Sequence, residues 1–258
     1  MGSRTLATAL VKNHGFESTG VNLMGKPVYQ KDSFLLVFFD GPIVNPPDLD
    51  SFFNPQAYIF LSKHKAESGI ASLTAHTTGN FSEKAEAGGR PREMGRVDPD
   101  LLKNYMISLS KRRNAVKDYE ITIEATHHGP TSLQKPVLFV EMGAAEKNWG
   151  DEEAASVVAD ALMESLVGRR IWEKVAIGFG GTHYPEKFTK VLVDGEMALA
   201  SVAPKYALEH VDEKMMGEMI QKSSSPVRYA AVDWKGLGPS KERISALVEK
   251  FGLEMIRV

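Results

Sequence analysis

Short apolar runs that read as strands alternate along this chain with stretches patterned as helices. This alternation restricts the fold more than any other feature of the sequence. Strands are expected at 33–39, 57–61, 71–75, 119–128, 137–142, 175–179, 197–203, 227–233 and 253–256. Helices are expected at 5–13 with Gly15 as the stop, from Asp98-Pro99 to about residue 114, behind Asp151 to about residue 167, from Pro185 onward, and at 240–251. A turn is expected at 45–48 and an irregular glycine-rich, charged loop at 83–95. The pattern predicts an α/β fold with a mixed or largely parallel sheet flanked by helices and a second, smaller lobe. Residues 113–117 separate a basic lobe, 1–117, from an acidic one, 118–258; the two stand apart or merge into one composite domain.

A chain of 258 residues can bury a full core. The absence of cysteine excludes disulfides, zinc knuckles, iron–sulfur clusters and thiol catalysis, and fits a reducing cytoplasm. No apolar run approaches the roughly 20 residues of a membrane span. The start, Met1-Gly-Ser-Arg-Thr, has neither a signal-peptide core nor a myristoylation pattern.

The net charge of −2 conceals an uneven distribution. Between Lys63 and Lys117 there are eleven Lys/Arg against six Asp/Glu, so that stretch is basic and the remainder acidic. Arg90, Arg92 and Arg96, and Lys111, Arg112 and Arg113, are candidates for contacts to a polyanion such as RNA. The same charges also suit a solvated helix end and loop. The aromatic and glycine pattern of an RNA-recognition strand is missing.

The segment Tyr119-Glu-Ile-Thr-Ile-Glu-Ala-Thr-His-His128 alternates strictly. As one strand it would send Ile121, Ile123, Ala125 and His127 to one face and Thr122, Glu124, Thr126 and His128 to the other. A carboxylate and an imidazole on a covered strand face are costly unless they serve a purpose. Five of the seven histidines, His64, His76, His127, His128 and His183, follow expected strands and sit among Gly, Thr or Pro. Glu124 and Glu141 end apolar strands, at the carboxyl edge where α/β enzymes gather their catalytic groups. These residue types suit general acid/base work or metal-assisted hydrolysis. Adjacent strand histidines point apart, so His127 and His128 can share an ion only if the backbone bends between them. A hydrogen-bonded histidine network is the alternative.

Gly178-Phe-Gly180-Gly181-Thr182-His183-Tyr-Pro185 is a strand-to-helix turn whose backbone N–H groups can cradle an anion, although it fits neither a Walker loop nor a dinucleotide fingerprint. Thr77, Thr78 and Asn80, after His76, can bind a ligand or cap a turn, and Lys205 at a strand end can meet an anion or lie on the surface. No Gly-x-Ser-x-Gly elbow supports a serine nucleophile.

Six segments, in this order, resemble the archaeal and plant type of D-aminoacyl-tRNA deacylase. They are Ser62-Lys-His64-Lys with Leu73-Thr-Ala-His76-Thr-Thr-Gly79-Asn80; Glu124-Ala-Thr-His-His-Gly-Pro-Thr131; Phe139-Val-Glu141-Met-Gly143 with Glu146 and Trp149; Gly178-Phe-Gly-Gly-Thr-His183-Tyr; Pro204-Lys205-Tyr206; and Val232-Asp-Trp-Lys-Gly236. They span about three-quarters of the chain, and the Glu-x-Thr-His-His-Gly-Pro string is highly specific. The resemblance implies hydrolysis of the ester between a D-amino acid, or its N-alkylated adduct, and the tRNA 3′ end. It also implies two zinc ions per subunit and a core similar to peptidyl-tRNA hydrolase and nucleoside phosphorylase types. Relatives usually open with an extra strand, whereas this chain begins almost at its first helix. Positions 63 and 65 are both lysine, where many members carry Arg or His and Ser.

Residues and resemblance together lead to a cytoplasmic, monomeric deacylase acting on aminoacyl-tRNA. Glu124, His128 and Glu141 are expected to activate water, and His76, His127, His128 and His183 to hold metal. Thr77, Thr78, Asn80, Gly180, Gly181, Thr182 and Lys205 are expected to bind substrate. A phosphorylase- or peptidase-like enzyme on a related core, or a non-enzymatic RNA-binding module, are the alternatives; carboxylates at strand ends speak against a pure binding module.

Overall fold

Capping side chains and glycines set the helix boundaries in the computed structural model, which describes residues 1–66 and 69–258. Helix α1 (Gly2–His14) stops at Gly15, whose φ of 69° is left-handed. Strands β1 (Glu17–Leu23), β2 (Lys26–Lys31) and β3 (Phe34–Leu36) form an antiparallel sheet. Met24 and Gly25, both at positive φ, make the tight turn between the first two. The buried strand expected at 33–39 is corrected to these three residues. Phe34 and Leu36 face the core, and the pleat turns Leu35 out to 50% exposure.

Next come β4 (Tyr58–Lys63), β5 (Ser72–His76) and the two-residue pair β6 (Gly79–Asn80) and β7 (Glu93–Met94). The latter pair crosses the loop expected at 83–95. Helix α2 (Pro99–Lys111) starts on Asp98, whose carboxylate accepts from the Leu101 amide at 3.1 Å; Pro99 needs no partner for its nitrogen. Strands β8 (Glu120–Ile123) and β9 (Val137–Gly143) follow, then the single turn α3 (Glu146–Trp149). Asp151 caps α4 (Glu152–Val167) through the Ala154 amide at 2.9 Å. The remainder alternates: β10 (Lys174–Phe179), α5 (Glu186–Asp194), β11 (Met197–Ala203), α6 (Glu213–Gln221), β12 (Tyr229–Val232), α7 (Lys241–Lys250) and β13 (Glu254–Arg257). Helix α6 is absent from the sequence reading. Its signals were Asp212 as a cap and Met215, Met216 and Met219 on one buried stripe.

Two four-stranded sheets carry the architecture. The order β11-β10-β12-β13 is wholly parallel, whereas β4-β9-β5-β8 is mixed, with β9 antiparallel to β5. The parallel sheet is covered on both sides: Ala176, Leu199 and Ala231 enter one core, and Val175, Ile177 and Val232 enter another with α6 and α7. This explains its nearly continuous apolar strands. The first core also takes Leu73 and Ile123 of the mixed sheet and Leu101, Leu102, Tyr105, Met106 and Leu109 of α2. Each such side chain, fully buried, stabilises by about 1.5–3 kcal/mol. The boundary expected near residue 117 falls between β5 and β8, which are hydrogen-bonded neighbours, so strands from both expected lobes complete one sheet.

One buried cation holds α2 against α5. Lys103 is 0% exposed; its Nζ donates to the carbonyls of Leu192 (2.5 Å) and Gly195 (2.7 Å) and lies 4.3 Å from the centre of the Trp172 ring. Burial, with the nearby Arg170 charge, pushes its pKa down from about 10.5 to about 8. Between these two values the folded protein binds fewer protons than the unfolded chain, so the stability contributed by this group rises with pH across that window. Lys103→Met removes the rise. Urea denaturation of both proteins at pH 8 and pH 10 checks this, and parallel pH dependences would refute it.

Candidate active site

Alternation along the mixed sheet sends its side chains to opposite faces. Leu73, Ala75, Ile121, Ile123, Leu138, Val140 and Met142 enter the core. On the other face, register sets Ser62 beside Glu141, Glu141 beside Thr74, and Thr74 beside Thr122. The next row holds Phe60, Phe139 and His76. Glu124 follows just past the end of β8, with its amide still bonded to Ala75 O at 3.0 Å. The site thus lies on a sheet face, because the antiparallel β9 brings Glu141 alongside Thr74 rather than to a common carboxyl edge.

The strand expected to run to His128 ends at Ile123. From there the backbone bonds to the second sheet: Ala125 N donates to His183 O at 2.8 Å and Thr126 N to Val202 O at 3.0 Å. Ala125 remains in the core as expected, but His127 does not stay on its face. His128 takes a positive φ of 43°. That bend folds the two rings together, with centroids 4.4 Å apart, so the divergence expected of adjacent strand residues is overturned.

Glu124 and Glu141 are the centres of the network. Thr74 donates its hydroxyl to Glu124 Oε1 at 2.5 Å. His64 Nδ1 stands between the carboxylates, 3.1 Å from Glu124 Oε1 and 3.2 Å from Glu141 Oε2. His183 Nε2 reaches Glu124 Oε2 at 2.9 Å, and His127 Nε2 lies 3.6 Å from the same oxygen. Tyr184 Oη bonds His64 Nε2 at 3.0 Å, and Tyr206 Oη bonds His183 Nδ1 at 3.1 Å. Burial raises the cost of both charged carboxylates, yet the bonds from His183 and His64 hold Glu124 well below the ordinary range, and the bond from His64 with the nearby charge of His76 holds Glu141 down. Burial also opposes charge on His64, but Glu124 and Glu141 outweigh it and lift the imidazole to about 9. His76 is raised against its burial by the same carboxylates. Burial and the His76 charge push His128 down to about 4, and burial with His76 and His128 holds His127 far below its usual value.

The donor set suits a metal ion. His76, His127 and His128 each donate Nδ1–H to a backbone carbonyl, of Thr77 (3.1 Å), Ala125 (2.8 Å) and Gly129 (2.6 Å) respectively. This fixes the tautomer and leaves every Nε2 lone pair facing the site. His76 Nε2 is buried without a hydrogen-bond partner, 3.8 Å from Glu141 Oε1. Among the described residues three overlapping groups can hold an ion, each with its ligand atoms within 4.8 Å: His76, His127 and His128; Glu124, His127 and His183; and His64, Glu124 and Glu141.

The other expected residues separate into two sets. The Thr77 hydroxyl bonds that of Thr126 at 2.8 Å, Thr78 donates to Pro130 O at 2.7 Å, and Asn80 Nδ2 donates to Gly88 O at 2.8 Å and Arg90 O at 3.1 Å. All three are buried and hold the loops behind the histidines. Gly180 and Gly181 take positive φ and turn the chain so that His183 can reach Glu124; Thr182 is exposed, and Lys205 N donates to Gly181 O. The arginines and lysines take acidic partners outside the site: Arg90 with Glu93, Arg92 with Asp212 and Glu83, and Lys111 and Arg112 with Glu164. Arg96 and Arg113 pair with no carboxylate among the described residues. Thr74, Tyr184 and Tyr206 stand in the segments that carry the family resemblance, but neither they nor His64 were expected in a site role. Thr74 and His64 had a signal, since Thr74 alternates with Leu73 and Ala75 along β5 and His64 continues the alternation of Ser62 just past β4.

A cavity of about 490 Å³ opens on the site. Ser62, Phe139, His128 and Glu141 form its inner wall, and Met1, Ser3, Ile43, Val44 and Lys63 its rim.

Residues 51–256 match a protein family described as D-aminoacyl-tRNA deacylase. The chain is 41% identical over 257 residues to the D-aminoacyl-tRNA deacylase of Cenarchaeum symbiosum, covering 96% of this chain and 98% of that one. It is 30% identical to the enzyme of that name from Pyrococcus furiosus, covering 99% and 95%. A crystal structure of a conserved protein of unknown function superposes with a TM-score of 0.90 at 26% identity, covering 98% of this chain and 90% of that one. The Glu124–His128 string and its partners His64, His76, Glu141 and His183 lie within the matched span, and on this match the chain belongs to the D-aminoacyl-tRNA deacylase family.

Proposed function

We propose that this chain hydrolyses the ester linking a D-amino acid to the 3′ end of tRNA, releasing the amino acid and free tRNA in the cytoplasm. The observation that carries this reading is the meeting of Glu124 and Glu141 with five imidazoles on one sheet face, in a chain of this family.

An aminoacyl ester is already activated, so the protein's task is to supply a base and control charge. Glu141 suits the base, since it lines the cavity and stays ionised beside His64 and His76. Its carboxylate accepts a proton as water oxygen bonds to the acyl carbon. It then returns that proton to the ribose oxygen as the ester bond breaks. Glu124, deeper in the network, orients His64, His127 and His183. Zinc is the ion proposed for the converging nitrogens of His76, His127 and His128 and for Glu124 with His183. Bound there, it supplies a polarised carbonyl and an acidified water.

Deacylation of D-tyrosyl-tRNA and L-tyrosyl-tRNA, with and without a chelator, tests the reading. The D-substrate is hydrolysed in preference, activity falls to background with chelator, and zinc restores it. Inertness toward both substrates would remove the function. Activity indifferent to chelator, in protein that elemental analysis finds free of zinc, would leave the acid/base network without a metal.

A further inference from the structure

We propose that Tyr206 is the platform on which the terminal base of the tRNA stacks. The proposal rests on the deacylase reading and assigns the site a nucleoside-binding residue. Tyr206 is 59% exposed, whereas the other six tyrosines are buried or half-buried. An exposed phenol ring would ordinarily be mobile, but this one is fixed at both ends. Its Oη bonds His183 Nδ1 at 3.1 Å, and His183 Nε2 bonds Glu124 Oε2 at 2.9 Å. A single imidazole therefore separates the ring from the carboxylate network.

The backbone beneath the ring is also fixed. Ala207 and Leu208, which follow it in the same 3₁₀ turn, are buried in the second core. Arg243 donates to the carbonyls of Leu208 and Val211, tying the turn to α7. A rigid aromatic face loses little freedom when a base covers it. Lys205, the preceding residue, is exposed and pairs with no carboxylate among the described residues. An aromatic face with an adjacent free cation is the chemistry that receives a single-stranded nucleic-acid end: the ring takes the base and the ammonium a phosphate. The ester to be cut sits on the ribose of that same terminal nucleoside. Stacking the base on Tyr206 would therefore bring the ribose oxygen beside His183 and Glu124.

The test uses the intact protein, D-tyrosyl-tRNA as substrate, and two probes as competitors: the trinucleotide CCA, and the same trinucleotide with an abasic 3′ residue. CCA inhibits the wild type and Tyr206→Phe alike, because the phenylalanine keeps the ring and loses only the bond to His183. Against Tyr206→Ala its inhibition constant rises about 5- to 150-fold, the loss of one stacked base. The abasic probe inhibits all three proteins equally and weakly. Equal losses in the Phe and Ala variants would overturn the proposal and leave Tyr206 as a positioning residue for His183. An unchanged constant in the Ala variant would overturn it outright. If the wild type fails to deacylate, the functional reading fails separately, and calorimetric binding of CCA to wild type and Tyr206→Ala still decides the platform.

Discussion

Replacing Glu124 with alanine lowers kcat for D-aminoacyl-tRNA by about two to four orders of magnitude, the usual scale for an acid/base group or its equivalent. The physical reason is the number of groups that this one carboxylate serves. Its Oε1 accepts from Thr74 at 2.5 Å and faces His64 Nδ1 at 3.1 Å; its Oε2 faces His183 at 2.9 Å and His127 at 3.6 Å. Without it, three imidazoles lose a carboxylate partner, and the buried charge on His64 keeps only Glu141 as a counterion. Removing one partner of a buried ion pair also costs stability, about 3–5 kcal/mol when nothing compensates. Glu124→Gln separates the two effects, because the amide keeps the volume and can accept from Thr74 but carries no charge. Single-turnover deacylation by both variants, with folding verified by circular dichroism, makes the measurement. Wild-type turnover in a folded Gln variant would reduce Glu124 to a structural residue.

Phe139→Ala destabilises the protein by about 3–5 kcal/mol, the range for emptying a buried phenylalanine site. Domains have only about 5–15 kcal/mol in total, so this variant stands near the threshold of folding. Phe139 is 0% exposed and serves as the floor of the site. Phe60 and His76 stack on it, each with centroids 5.0 Å away at 20°, and His128 meets it edge-on at 4.8 Å. Losing the ring therefore opens a void directly under two of the imidazoles that converge on the site. Phe139→Leu refills part of the volume without the flat face, so it regains more stability than activity. Urea denaturation midpoints and deacylation rates for the two variants measure both effects. A loss below about 1 kcal/mol in the Ala variant would show that the neighbouring side chains collapse into the space.

Much of this fold was legible because local physics fixes it. Asp98, Asp151 and Gly15 mark helix ends through bonds and backbone angles that span a few residues. The runs at 137–142 and 175–179 are strands in any context that buries both their faces. The β1–β2 hairpin escaped notice because Met-Gly is a weaker turn signal than Asn-Gly, although the geometry it forms is the same.

The candidate site divides in the same way. That Glu124, Glu141 and the histidines after strands are the candidates for chemistry follows from the cost of placing such groups on covered strands, and the sequence alone carries that cost. How they meet does not follow from it. The alternation of 119–128 predicts one strand with His127 and His128 pointing apart, yet β8 ends at Ile123. Beyond it, Ala125 and Thr126 take their partners from His183 and Val202, which lie 58 and 76 residues further along the chain. The bend at His128, the sharing of Glu124 by His64 and His183, and the placing of Tyr206 beside the site all depend on the contact between two sheets. The sequence by itself determined most of the elements and the residue types that are candidates for chemistry, because periodicity, capping and desolvation act over short range. Only the tertiary structure decided which of those residues meet, because those pairings join strands whose neighbours are set by topology.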